Sequence, residues 1–133
     1  MPRDKVDVVK RAVDAYNRRD LKVFAGLMTP DFEFYAGTVT ALGGDEYRGR
    51  EGVERFAADT RESWEELQNV AEEFRDLGDR VLMLGRFVGR GKGSGAPIDV
   101  PMAGLYDLRG DRIRRYRGYL DRAEAFRAAG VSE

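Results

Sequence analysis

The sequence predicts an α+β domain in which a strongly curved, mainly antiparallel sheet wraps around N-terminal helices and encloses a cone-shaped cavity. Apolar residues recur every three or four positions over residues 4–19, as they do on one face of a helix. After residue 66 come four strand-like segments separated by turn residues. Helices followed by a run of neighbouring strands are typical of α+β domains and not of alternating α/β folds.

Composition narrows the possible chemistry. The chain has 133 residues, which predicts a single domain spanning residues 1–133. It contains no cysteine and no histidine, which excludes thiol nucleophiles, Cys/His zinc sites and Ser-His-Asp triads. We therefore expect neither a metal nor a cofactor, and acid/base work falls to carboxylates, tyrosine, lysine or arginine.

Charge and hydropathy narrow the possible partners. The 23 basic and 24 acidic residues give a formal net charge of -1, which favours neither nucleic acid nor an anionic membrane surface. A small hydrophobic molecule is the partner that we expect. No apolar stretch approaches membrane-spanning length, and the N-terminus lacks a signal-peptide core, so we expect a cytoplasmic protein.

The first two helices are predicted from periodicity and capping. In residues 4–19 the apolar stripe ends at Tyr16, which either packs in the core or offers its hydroxyl to the cavity. Asp20 is expected to cap a second helix over residues 21–28. The Thr29-Pro30 pair is expected to stop that helix.

A strand, a loop and a short strand follow. The segment DFEFYA alternates, with Phe32 and Phe34 on one side and Glu33 and Tyr35 on the other. Residues 37–45 carry three glycines and are predicted to form a loop that acts as a mouth or lid. Residues 46–48 are expected to form a short strand.

A third helix over residues 51–66 should place Trp64 against the sheet, where it either packs in the core or lines the pocket. The next strand, residues 67–77, carries Glu72 between apolar neighbours. This glutamate indicates an edge strand, or alternatively a second carboxylate facing the cavity.

The strand that begins near residue 80 is apolar on both faces, which predicts a central position in the sheet. Arg86 shares a face with Leu82, Leu84 and Val88. A buried, unpaired arginine costs several kcal/mol, so we expect Arg86 in the cavity with a carboxylate partner. The candidate partners are Asp121 first, and otherwise Glu33, Glu72 or Asp99. Residues 81–88 are apolar on both faces of the strand, and residues 98–108 form an apolar run. Together they predict a homodimer through the outer face of the sheet.

The last hairpin, residues 100–121, ends on a carboxylate. Uninterrupted alternation places five residues of the final strand on one face: Ile113, Arg115, Arg117, Tyr119 and Asp121. Asp121 then has two possible roles. It either caps a C-terminal helix that stops at Gly130, or it acts as acid or base at the open end of the cavity.

Three motifs carry a resemblance to a known family. They are Ala-Tyr-Asn-Arg-Arg-Asp-Leu in the first helix, Tyr-Arg-Gly-Arg-Glu-Gly-Val before the third, and Tyr-Arg-Gly-Tyr-Leu-Asp after the last turn. Together they resemble the SnoaL-like branch of the nuclear transport factor 2-like superfamily, which includes polyketide cyclases, limonene-epoxide hydrolase-like enzymes and relatives of ketosteroid isomerase. The resemblance covers nearly the whole chain and implies a cystatin-like α+β roll. One fold of this kind hosts many chemistries.

The resemblance also implies site residues. Arg86 and Asp121 match the arginine and the final aspartate of the epoxide hydrolase-like enzymes, whereas Val88 stands at their middle aspartate and Phe34-Tyr35-Ala36 at their Tyr-x-Asn. Epoxide hydrolysis is therefore less expected.

The catalytic positions of the isomerase relatives correspond to Ala12, Ala36 and Ala103, which excludes their mechanism. The resemblance to SnoaL-type cyclases implies acid/base work at Asp121.

Two functional hypotheses follow. The first is a cofactor-free acid/base enzyme of the aldol cyclase or isomerase type, with Asp121 as base and Arg86 or Arg117 stabilising an enolate in the cavity. Its substrate-binding residues would be Tyr16, Tyr35, Trp64, Leu84, Val88, Arg117 and Tyr119. The alternative is a non-catalytic ligand-binding or dimeric interaction domain in which Asp121 only caps the helix.

Overall fold

The computed structural model describes residues 4–35 and 46–132. In this part of the chain four helices and six strands follow in the order α1 Lys5–Asn17, α2 Leu21–Gly26, β1 Met28–Tyr35, β2 Glu46–Arg48, α3 Gly49–Ser63, β3 Trp64–Asp76, β4 Arg80–Gly91, β5 Pro97–Arg109, β6 Arg112–Tyr119 and α4 Arg122–Ala129. The α+β class is confirmed. The predicted mouth or lid at residues 37–45 lies outside the described residues.

The six strands form one curved sheet in the order β2-β1-β6-β5-β4-β3. Neighbouring strands are antiparallel except β1 and β6, which are parallel. The mainly antiparallel sheet is thus confirmed. Strand β4 lies between β3 and β5, so it is an interior strand, although it is next to the edge of the sheet and not at its centre. None of the described helices is long and apolar enough to cross a membrane.

Local capping chemistry sets the helix ends as predicted. Asp20 caps α2, because its carboxylate accepts from the backbone N–H of Val23 at 3.2 Å. Gly130 ends α4 in the left-handed region at φ 73°, which favours glycine. Asp4 likewise caps α1 through the N–H of Val6 at 2.9 Å.

Two predicted boundaries are wrong because strand pairing overrides local signals. Helix α2 ends at Gly26, and Thr29-Pro30 lies inside β1. Pro30 fits there because the ladder between β1 and β6 shifts between Met28 and Glu33, so its missing N–H breaks no regular pair. The third helix ends before Trp64, which is the first residue of β3 and pairs with Gly91.

Two apolar clusters lie on opposite faces of the sheet. The larger one fills the concave side beneath α1, α2 and α3. The smaller one lies on the outer face, where α4 covers four strand residues with its own apolar face; its members are Leu82, Leu84, Ala103, Leu105, Ala125, Phe126 and Ala129. The apolar residues on the outer face of β4 and β5 are therefore buried largely against α4, the last helix of the chain.

A bulge changes the predicted faces of β6. Leu108 pairs with Ile113 while the preceding Asp107 pairs with Arg115, so Arg114 is an extra residue in the ladder. Ile113 consequently faces the interior core and not the outer face. The residues that do lie on the outer face are Arg115, Arg117 and Tyr119, opposite outward-facing residues of β5.

Candidate functional site

The concave side of the sheet holds a small pocket. Its volume is about 20 Å³, roughly the space that one water occupies. Ten of the described residues line it: Ala12, Val13, Tyr16, Phe24, Phe34, Phe56, Asn69, Phe87, Tyr106 and Tyr116. The open cone-shaped cavity expected from the sequence is thus largely filled by aromatic side chains.

Phe34 lies at the centre of this aromatic packing. Its ring centroid is 4.5 Å from that of Phe56 and 4.6 Å from that of Tyr116, the latter nearly parallel at 21°. Each such pair contributes about 0.5–1.5 kcal/mol beyond the burial of area. The rings therefore hold the interior closed while presenting flat apolar surfaces to the pocket.

Three tyrosines bring hydroxyl groups into this interior. Burial raises the pKa of Tyr16, Tyr106 and Tyr116, and the neighbouring phenols raise the pKa of Tyr106 and Tyr116 further. All three side chains are consequently neutral near pH 7. They can donate a hydrogen bond, but they cannot act as bases.

Two polar atoms of the pocket lack a partner. Within the described residues, neither the buried Tyr16 hydroxyl nor Asn69 Oδ1 makes a hydrogen bond. The Asn69 backbone is held in place, because Asn17 Nδ2 donates to its carbonyl at 2.9 Å and its N–H donates to Asn17 Oδ1 at 2.8 Å. A buried polar group without a partner costs about 1–3 kcal/mol, so these atoms favour a bound polar atom.

Asp121 lies outside the pocket, and its predicted place as a cavity base is wrong. Its side chain is exposed, and its carboxylate accepts from the N–H of Ala123 at 2.9 Å. This is the capping role, which the sequence left open. The strand ends at Tyr119, so the chain has already turned away from the interior when it reaches Asp121.

Arg86 is also outside the pocket. It projects from the outer face of β4, and its guanidinium forms an ion pair with Asp99, one of its four predicted partners. The two side chains are 36% and 59% exposed, so solvent screens the pair. The prediction of a buried pair in the cavity is wrong, because the arginine reaches water at the sheet surface.

The remaining predicted residues divide between the two faces. Tyr16 lines the pocket, which is the second of the two roles that the sequence left open for it. Trp64 is half-buried and packs against the interior core without lining the pocket. Leu84 is buried beneath α4, and Val88 is exposed on the outer face, so neither contacts an interior ligand.

The other three predicted binding residues meet in a groove on the outer face. Tyr35, Arg117 and Tyr119 line it together with Arg80, Leu105, Asp107, Arg115 and Ala128. The Arg117 guanidinium carbon lies 4.5 Å from the centroid of the Tyr35 ring. The structure thus brings these side chains together, but on the opposite side of the sheet from the predicted cavity.

Sequence reasoning missed most of the pocket wall. Phe34 was assigned to a strand face without a role, and Phe56, Asn69, Tyr106 and Tyr116 were not singled out as lining residues. The alternation of the strands was the available signal for Phe34 and Tyr106. In the described ranges, no three acidic side chains converge as a metal site would require.

Comparison with solved structures shows which class of fold this is. An NTF2-like protein from Burkholderia pseudomallei is 21% identical, with a TM-score of 0.78, and the match covers 92% of this chain and 95% of that one. TerC, crystallised with polyporic acid, is 18% identical, with a TM-score of 0.77 and coverage of 95% and 98%. A protein from Jannaschia named as a SnoaL-like polyketide cyclase is 24% identical, with a TM-score of 0.73 and coverage of 100% and 99%. The fold is therefore NTF2-like.

The family is narrower than the fold. The model of the SnoaL-like domain matches residues 9–116, which is most of the chain. The chain therefore belongs to the SnoaL-like domain family. No curated protein matches the sequence.

Proposed function

We propose that this SnoaL-like domain binds a small hydrophobic molecule in its interior pocket and performs no acid/base catalysis there. The observation that carries the proposal is the buried Tyr16 hydroxyl, which makes no hydrogen bond of normal geometry within the described residues, although the Arg19 and Thr60 side chains lie close enough to lower its pKa against the effect of burial. A ligand oxygen at this point would accept from the hydroxyl. Binding would be favoured because the buried hydroxyl would regain a hydrogen-bond partner.

The chemistry of the wall favours binding over catalysis. General acid/base catalysis works best with a group whose pKa lies near the operating pH. None of the ten lining residues is a carboxylate, and burial moves the pKa of the three tyrosines away from neutrality. Asp121 lies outside the pocket, and so do Arg86 and Arg117, the two arginines that the enzyme hypothesis offered as its electrostatic partner. The pocket therefore supplies donors without a base.

The donors and rings indicate the class of ligand. Neutral phenols donate to acceptor oxygens, and Phe34, Phe56 and Tyr116 offer flat apolar surfaces. A planar hydrophobic ketone or quinone matches both features. The fold neighbour TerC was co-crystallised with polyporic acid, which supports a small organic molecule as the kind of partner.

Ligand entry requires side chains to move, because about 20 Å³ admits no molecule larger than water. The Tyr16 ring itself is packed, since it lies 5.8 Å from the Phe56 ring and 4.9 Å from the Arg19 guanidinium. The free-energy cost of rearranging the lining side chains lowers the apparent affinity for the ligand.

A matched ligand panel tests the proposal. Cyclic ketones and quinones are compared by calorimetry with hydrocarbons of the same ring size. Since one neutral hydrogen bond contributes about 0.5–1.5 kcal/mol, Tyr16→Phe should weaken ketone binding by about 2- to 12-fold. Tyr119→Phe, on the outer face, is the control and should leave interior binding unchanged.

Three outcomes would contradict the proposal. The first is equal binding of ketones and hydrocarbons, since the hydroxyl would then contribute nothing. The second is equal weakening by Tyr16→Phe and Tyr119→Phe. The third is turnover of any panel member that survives Tyr16→Phe and is lost on Asp121→Asn, which would restore the enzyme hypothesis.

A further inference from the structure

The groove on the outer face has properties that the interior pocket lacks. It lies between β1, β5 and β6 and the C-terminal end of α4, and its volume is about 410 Å³. This falls within the range of roughly 300–1,000 Å³ typical of small-molecule sites. Three of its eight lining residues are arginines and one is an aspartate, whereas the whole chain has a net charge of -1. The lining of the groove therefore holds more basic than acidic side chains.

Two of its three arginines are already occupied. Arg80 donates to the backbone carbonyls of Ala128 and Ala129, at the end of α4, at 3.3 and 2.8 Å. Arg115 Nε lies 2.9 Å from Glu33 Oε2, and its Nη1 lies 3.7 Å from Asp107 Oδ2. These contacts engage both guanidinium groups with acceptors of the protein itself.

Arg117 differs from both. Among the described residues no carboxylate lies within ion-pair distance of its guanidinium, which packs instead over the Tyr35 ring. Contact with an aromatic face fixes the plane of the guanidinium but leaves its edge N–H donors available. A carboxylate matches the fork of those donors in two parallel hydrogen bonds. Arg117 is thus held in place with its donors free.

The walls beside Arg117 are aromatic and apolar. Tyr119 lies two residues along the same face of β6, and Leu105 is the residue of β5 that pairs directly with Arg117. A flat ring attached to the carboxylate would contact these side chains. Asp107, on the same face, disfavours a second negative charge on the ligand.

We propose that this groove is a second binding site, distinct from the interior pocket, for a small aromatic monocarboxylate. The carboxylate pairs with the edge of the Arg117 guanidinium, and the ring packs against Tyr119 and Leu105. Tyr35 orients the arginine from below and takes no direct part in binding. The site does not depend on the interior pocket, since the sheet separates the two.

Benzoate is the probe, and NMR titration of the full chain is the measurement. Benzoate should shift the resonances of Tyr35, Arg117 and Tyr119, and benzyl alcohol, which lacks the charge, should bind at least about 10-fold more weakly. Arg117→Gln should weaken benzoate binding at least about 10-fold. Arg112→Gln is the control, because Arg112 is an exposed arginine of the same strand outside the groove.

Several results would overturn the proposal. Equal effects of Arg117→Gln and Arg112→Gln would mean general charge attraction. Inorganic phosphate binding as tightly as benzoate would exclude the aromatic contacts. Conversion of a dimer to a monomer by Arg117→Gln would identify a second copy of the chain as the occupant. Tyr16→Phe must leave benzoate binding unchanged, which separates this test from that of the interior pocket.

Discussion

Replacing Asp121 by alanine removes the side-chain acceptor that caps the first turn of α4. The Asp121 carboxylate accepts from Ala123 N–H at 2.9 Å, and losing such a cap typically costs about 1 kcal/mol. An eight-residue helix is far shorter than the roughly 12–15 residues that an isolated helix needs, so α4 depends on its cap and on packing against the sheet. For a chain of this size the loss should lower Tm by about 4 °C.

Asparagine separates capping from charge at the same position. Asn caps about as well as Asp, so Asp121→Asn should keep Tm within about 1 °C of the wild type, on the same scaling. Asp111→Ala, in the exposed turn between β5 and β6, controls for the loss of one surface carboxylate. Differential scanning calorimetry of the three variants gives the comparison.

Two results would refute the capping argument. If asparagine and alanine destabilise equally, the charge and not the hydrogen-bond acceptor is what matters at this helix end. If neither change lowers Tm relative to Asp111→Ala, the cap contributes nothing and α4 is held by packing alone.

Three further predictions concern the sheet. Arg86→Met should change the free energy of unfolding by no more than about 1 kcal/mol in urea melts, since its ion pair is exposed; a loss of several kcal/mol would place it in a buried pair. The hydrogen bond from Arg115 holds the pKa of Glu33 below its usual range, so the free energy of unfolding in urea should decrease as the pH drops below about 4.3. The decrease should be smaller in Glu33→Gln, and parallel pH profiles of the two proteins would contradict this. The homodimer predicted from the sequence stays a prediction, for which exposed Val70 and Val88 offer a contact surface; lysine at both positions should yield a monomer in light scattering, and an unchanged mass would exclude that surface.

Features of the fold that depend on local chemistry could be predicted. The stripe that ends at Tyr16, the cap at Asp20 and the stop at Gly130 are each specified within one or two turns of chain, and the structure confirms them. The misplaced boundaries at Pro30 and Trp64 depend on partners far along the sequence. Single-residue propensity carries no information about where a distant strand ends.

The candidate site was harder to predict, because it depends on which face of each strand is inside. Alternation assumes an uninterrupted strand, and one extra residue at Arg114 moves Ile113 to the interior. In β4 both faces are apolar, so periodicity could not distinguish the concave face from the face that α4 covers. Arg86 was placed in the cavity for this reason.

The position of α4 explains why Leu84 and Asp121, both predicted site residues, lie outside the pocket. This helix covers the outer face, which allows Leu84 to be buried there, and its cap uses the carboxylate that the enzyme hypothesis required. With Asp121 and Arg86 outside, the polar side chains among the described residues that line the pocket are three neutral phenols and one amide. The chain has no histidine, and none of these described lining residues is a carboxylate. The proposal of ligand binding through tyrosine donors rests on this set of polar side chains.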